Sequence, residues 1–279
     1  MTVGQLLRRW RQTRRLSQLE LAIQAEVSTR HLSFVETGRA APSREMLLHL
    51  AEHLDVPLRE RNELLVAAGY APAYAAAPLD SPHLSAVRAA IRQILAGHEP
   101  YPAVVVDRGW QLVDANSSVA LLTEGVAPHL LAPPANVMRI TLHPDGMAPR
   151  VANLPEWRAH LLERLRRQLV AGDDELAALY EELRGYPGGE VPDPGAGSTR
   201  SWTRSDQPGL SRHPGPERAS QQSPGDFAVP LRLRHREREL AFFSTTATFG
   251  TPLDITVAEL VIESFFPADE ETRKYLQSL

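Results

Sequence analysis

A chain of 279 residues, 43% of them hydrophobic, is long enough for two domains, each with its own core. It has no cysteine, which excludes disulfides and thiol chemistry, and no apolar run reaches the length of a membrane span, so no membrane partner is expected. The net charge of −4 is unevenly spread: residues 1–44 hold eight Arg against three Glu, a balance of +5 that leaves −9 for the remainder. That asymmetry is expected where one module faces phosphate and the other does not.

The opening MTVGQLLRRWRQTRR lacks the apolar core of a secretion signal, which with the missing cysteine suits a cytoplasmic protein. Lys274 is the only lysine, and the Arg, Ala and Pro bias suggests a GC-rich bacterial genome. Val3, Leu6, Leu7 and Trp10 recur at helical spacing and predict a first helix ending near Arg15–Leu16. Ser17 and Glu20 form a capping box for a second helix, whose buried side is Leu21, Ala22 and Ala25. Ser28 caps a third, with Leu32 and Val35 inward and Gly38 as its stop. Pro42-Ser43 opens a fourth, with Met46, Leu47, Leu50 and Leu54 on one side. Pro57 opens a fifth that ends at Gly69.

With Leu32 and Val35 buried, Thr29, Arg30, Ser33 and Thr37 project to the opposite side of the third helix. Such a stripe suits a major groove, where Arg30 can bond guanine O6 and N7 and Thr29 can touch a thymine methyl or a base acceptor. The capping Ser28 belongs to the same end of the helix, where base contacts concentrate. Arg39, Ser43 and Arg44 occupy a loop and a helix start, both suited to phosphate. Arg8 and Arg11 are expected to partner Glu36 or the backbone.

The segments LSQLELA, VSTRHLSFVETGR and PSREMLLHLAEHLDVPLRERNELL resemble the phage-repressor type of helix-turn-helix domain, the xenobiotic-response-element (XRE) family. The resemblance implies double-stranded operator DNA as the partner, and places Gln18 against the DNA backbone, bracing Thr29. Two positions depart from the family pattern: Glu26 and Arg15 stand where Gly is common, so a slightly different turn backbone is expected there.

Ala71–Pro82 is rich in Ala and Pro and reads as a semi-stiff linker. A helical pattern resumes from Leu84 to Gly97. AVVVD is a short β-branched run and WQLVDAN alternates, which predicts two strands about an Arg108-Gly109 turn, and a helix begins near Ser117. Trp157–Val170 and Asp173–Leu183 are amphipathic helices. DFAVPLRLRH and RELAFFSTTATFG predict a hairpin, Ile255–Phe266 a last strand whose Ala-Glu-Leu centre also fits a helix, and DEETRKYLQSL a closing helix. The order predicts one antiparallel sheet with helices on one face. Gly185–Gly225, with Trp202, is of low complexity and predicts a mobile loop.

The segments VVVDRGWQLVDANSSVALL, NVMRITLHPDG and LPEWRAHLLERLR, with the closing strands, resemble a PAS-like sensor of the MmyB-like ligand-binding type. The resemblance implies a pocket for a small apolar ligand, fatty-acid-like or lactone-like. Its expected wall is Val105, Leu112, Leu121, Met138, Leu142, Trp157, Leu161 and Phe243, with Asn116, Asn136, Arg139 and Arg166 as polar contacts. The apolar residues fit an ordinary core equally well, and Arg139 fits equally a structural pair with Asp114.

No nucleophile elbow or phosphate loop is present, and neither a metal, a cofactor nor an enzyme is expected. His143-Pro144-Asp145-Gly146 reads as a turn. The expected fold is α+β: a five-helix, phage-repressor-like domain over 1–70, a linker over 71–82, and a PAS-like MmyB-type domain over 83–279. The expected function is sequence-specific, one-component transcriptional regulation by a homodimer. The alternatives are a carboxy-terminal domain that only dimerises or binds a partner, and an enzyme with a DNA-binding appendage.

Overall fold

A computed structural model describes residues 1–169, 173–188 and 229–279. The segment expected as a loop therefore lies, from residue 189 and including Trp202, outside the described residues. The chain forms two compact units: Met1–Ile91 with Thr248–Leu260, and Arg92–Ala247 with Val261–Leu279.

In the first unit, α1 (Val3–Thr13), α2 (Gln18–Gln24), α3 (Thr29–Glu36), α4 (Arg44–His53) and α5 (Leu58–Ala67) follow one another through short turns. Their starts are chemically marked. The Ser17 hydroxyl accepts from the Glu20 N–H at 3.1 Å while the Glu20 carboxylate accepts from the Ser17 N–H at 2.6 Å, the expected capping box. Ser28 and Ser43 cap α3 and α4 through the hydroxyl alone, accepting from the His31 and Met46 N–H. Leu7, Leu21, Leu32, Val35, Leu47, Leu50 and Leu54 form the buried core. Ala22 is 2% exposed, as its small size at the α2 contact requires.

Gly4 lets α1 approach α3 closely, because a Cβ there would collide with the Val35 and Glu36 carbonyl oxygens. Across the same contact Arg11 Nε and Nη2 donate to the two Glu36 oxygens at 2.6 and 2.8 Å. Glu26 and Arg15 keep left-handed backbone, with φ of 51° and 56°. At both positions the backbone is the left-handed one that Gly favours, a strained region for a residue with a Cβ.

The segment after α5 is tethered. Asn62 Oδ1 accepts from the N–H groups of Ala73 and Tyr74, and its Nδ2 donates to the Tyr74 carbonyl. Ala75 then bridges Asp254 in parallel fashion, and Ile255 N–H donates to the Ala75 carbonyl at 2.7 Å. α6 (Ser85–Gly97) contains the boundary between the units.

The second unit is a five-stranded antiparallel sheet with helices. β1 (Ala103–Val106) and β2 (Leu112–Ala115) are joined by a turn in which Trp110 has a φ of 63°. Then come α7 (Val119–Thr123), α8 (Pro128–Leu131), α9 (Val137–Leu142), α10 (Leu154–Gln168) and α11 (Asp174–Arg184). β3 (Leu231–His235) and β4 (Arg238–Ala247) form the expected hairpin. The expected strand from Ile255 is divided: Ile255–Ala258 is one turn of helix, α12, capped by Asp254, and the strand β5 runs only from Val261 to Pro267. α13 (Glu270–Gln277) closes the chain.

The sheet order is β2-β1-β5-β4-β3, so the last strand lies between the first and fourth. Alternation along the strands selects the buried face: Leu231, Leu233, Leu240, Phe242 and Phe265 join the core with Val104 and Val106. Among the described residues no helix is long and apolar enough to cross a membrane.

Candidate functional site

α3 is held by its buried face. Leu32 and Val35 are fully buried, which leaves Arg30, Thr37 and Arg39 exposed and Thr29 and Ser33 half-buried. The Arg30 guanidinium lies over the Phe34 ring, 5.4 Å from its centroid, a contact that orients the group without neutralising it. Among the described residues no ion pair holds Arg30, Arg39 or Arg44. Other members of the expected DNA set have local hydrogen bonds. Ser28 caps α3, Ser43 caps α4, and the Thr37 hydroxyl donates to the Ser33 carbonyl at 2.7 Å.

Gln18 differs from expectation. Its amide Nε2 donates to a Glu36 carboxylate oxygen at 2.7 Å rather than bracing Thr29. Glu36 thereby accepts from Arg11 and Gln18 together, while Arg11 also donates to the Leu16 carbonyl at 2.8 Å. Burial pushes the Glu36 carboxyl up. The hydrogen bonds from Arg11 and Gln18 and the charges of Arg11 and Arg8 outweigh this and hold it below the usual carboxylate value. This network pins α1 and α2 against the end of α3 and so sets the direction in which the exposed stripe points.

The second unit contains a cavity of about 70 Å³ between the sheet and the helices. Of the residues expected in its wall, Leu112, Met138, Trp157 and Leu161 line it. Val104, Trp110, Leu122, Ile140, Met147, Glu263 and Phe265 also line it, although no local pattern singled them out.

The structure places the remaining expected residues elsewhere. Val105 and Phe243 fall on the strand faces opposite Val104 and Phe242, and Phe243 stacks on Phe266 at 5.3 Å. Leu142 is core, and Leu121 packs at the core's edge. Asn116 is a clip: its Oδ1 accepts from Ala103 N–H and its Nδ2 donates to the Tyr101 carbonyl at 2.7 Å. Asn136 caps α9, accepting from Met138 and Arg139 N–H while donating to the Gly109 carbonyl at 2.8 Å.

Arg139 pairs through two nitrogens with Glu182, each at 2.8 Å, and not with Asp114, whose Oδ1 accepts from Ala115 N–H. The Tyr186 hydroxyl joins the same carboxylate, and burial together with Glu182 pushes its pKa up to about 12. Arg166 is exposed and pairs with Glu163 one turn earlier. Neither arginine is in the cavity wall.

His143-Pro144-Asp145-Gly146 forms the expected turn, with Gly146 N–H donating to the His143 carbonyl at 2.9 Å. The fold also gathers what sequence spacing did not: ligand atoms of His129, His143 and Asp145 lie within 4.8 Å of one another. The His143 Nδ1, however, already accepts from the Asp145 N–H at 3.0 Å.

These two sites agree with comparisons against known families. Residues 2–64 match a helix-turn-helix domain, and residues 87–192 match the MmyB-like transcription regulator ligand binding domain. The second match ends before β3, so the strands that complete the sheet lie beyond it. No curated protein matches the chain. The exposed stripe of α3 belongs to the first match and most of the cavity wall to the second. The chain is therefore a DNA-binding transcription regulator that joins an XRE-like helix-turn-helix domain to an MmyB-like ligand-binding domain.

Proposed function

We propose that the protein is a one-component bacterial regulator that binds its operator as a homodimer and changes its DNA affinity when a small apolar ligand enters the cavity. Thr29, Arg30 and Ser33 read base edges, and Arg39 and Arg44 hold phosphates. Two such stripes one helical turn apart would require a palindromic site.

The observation that carries ligand control is the path of the chain between β4 and β5. Thr248–Leu260 leaves the sheet and belongs to the first compact unit. There Glu259 accepts from Arg59 Nε and Nη2 of α5 at 2.7 Å each, and Asp254 accepts from Ala77 N–H at 3.2 Å. Directly after Leu260 the chain becomes β5, whose Glu263 and Phe265 line the cavity. A ligand that favours one position of β5 thus acts on a strand continuous with a segment fastened to the DNA-binding helices. It controls DNA binding only through a difference in affinity for two arrangements, and a 100-fold effect requires about 2.7 kcal/mol of coupling.

Selection of fragments from a random DNA pool, with and without a cell lipid extract, tests this reading. One enriched palindrome whose recovery changes with extract is expected, and Glu259→Ala should keep the palindrome while removing the response. Retention without sequence preference would defeat the proposal. The modest cavity volume favours a second reading, a carboxy-terminal domain that only dimerises. Native mass spectrometry that finds a dimer with no retained small molecule, together with no thermal stabilisation by added lipids, would favour it.

A further inference from the structure

The polar groups of the cavity wall are nearly all engaged. Trp110 Nε1 donates to Gln168 at 2.8 Å. The hydroxyls of Thr123 and Thr141 donate to carbonyls of their own helices. Glu263, 5% exposed and, among the described residues, the only charged one of the wall, accepts from Arg164 at 2.9 Å. Trp157 differs. It is 3% exposed, it belongs to the wall, and among the described residues its Nε1–H has no acceptor. Gln111, Arg158, His235 and Tyr275 also carry a buried polar atom without a partner, but none of them lines the cavity. A buried donor without an acceptor is costly, and each such group in a native protein calls for an explanation.

Resting on the ligand-sensing reading above, we infer that the ligand carries a neutral polar head whose oxygen accepts from Trp157 Nε1, as the carbonyl of a lactone, ester or amide does. A fatty acid does not suit this wall. Its carboxylate would enter a buried, apolar space in which the one charged wall residue is itself a carboxylate. Arg164, the partner of Glu263, is already engaged by that bond and lies 4.5 Å from the centre of the Trp110 ring. An indole N–H, by contrast, matches a neutral acceptor without requiring a counter-charge. An alkyl chain longer than the cavity displaces the flexible side chains of Met138 and Met147.

Isothermal titration of the full chain at pH 8 with γ-octalactone and with octanoic acid tests the assignment. The wild type is expected to bind the lactone at least tenfold more tightly than the acid. Trp157→Phe should weaken lactone binding about tenfold, the loss of one good hydrogen bond, and leave acid binding unchanged. Glu263→Gln should narrow the preference for lactone by improving acid binding. Where Trp157→Phe fails to fold, the wild-type indole Nε1–H resonance gives the answer: lactone should move it downfield and octanoic acid should not. Equal or tighter binding of the acid, or an indifferent Trp157 resonance, overturns the head-group assignment and leaves the sensing cavity standing. Binding of neither compound overturns both.

Discussion

Arg11–Glu36 in the first unit is a buried ion pair and Arg164–Glu263 in the second a part-buried one, with contacts of 2.6 and 2.9 Å. They differ in how completely they are satisfied. Glu36 receives two bonds from Arg11 and one from Gln18, and Arg11 has a further acceptor in Leu16. Together with Gln18 the pair joins three helices. Glu263 meets Arg164 through a single nitrogen, and its carboxylate borders a cavity. The fully bonded pair fixes the helix whose outer face is proposed to read DNA. The sparsely bonded pair borders the proposed ligand cavity. A buried charge is thus a structural or a recognition element according to how many of its bonds the protein itself completes.

The largest expected effect tests the structural side of this contrast. Glu36→Ala leaves Arg11 buried without its acceptor and should cost about 3–5 kcal/mol of local stability, read from amide hydrogen exchange of α1 and α3. Glu263→Gln should cost less, about 1–2 kcal/mol, since Arg164 keeps an acceptor and its aromatic contact. Equal losses would erase the distinction.

The pH dependence has a definite sign. Because the folded Glu36 carboxyl lies below its ordinary value, its contribution is fully present above the unfolded value, about 4.3, and is lost as the pH falls through the folded value. The wild type should therefore approach the stability of Glu36→Ala in acid.

The outer face of α3 gives the next effects. Arg30→Ala should cost about 1–3 kcal/mol at one base pair of each half-site and relax specificity there, as measured by competition among single-base operator variants. Arg39→Ala should weaken all sequences alike and lower the salt slope by about 1, seen in binding titrations from low to moderate salt. The smallest effect belongs to the turn before α3. Glu26→Gly removes left-handed strain and should stabilise the first unit by up to about 1 kcal/mol, visible as a raised unfolding midpoint. A loss instead would mean that the Glu26 side chain makes a contact worth more than the strain.

Much of the first unit was legible because its signals are local. Ser17 with Glu20, and Ser28 and Ser43, lie within a few residues of the N–H groups they cap. The periodicity that buries Leu32 and Val35 also decides that Arg30 is exposed. In the second unit the family resemblance, not local periodicity, placed Leu112, Met138, Trp157 and Leu161 in the wall. It assigned Asn116 and Asn136 to ligand binding although their backbone bonds make them a clip and a cap, a role that Asn before a helix commonly signals. Arg139 had no readable partner, because Glu182 lies on another helix 43 positions away.

What the sequence alone determined was every feature set by neighbours along the chain: the caps, the helix faces, the hairpin and the uneven charge. Tertiary structure alone decided which strand stands between β1 and β4, and hence that Glu263 and Phe265 face the cavity. It also decided that Thr248–Leu260 joins the DNA-binding helices rather than the sheet. The physical reason is range. Capping and periodicity act within one or two turns of chain, whereas strand order, a cavity wall and a long-range ion pair depend on segments that meet only after the whole chain has folded.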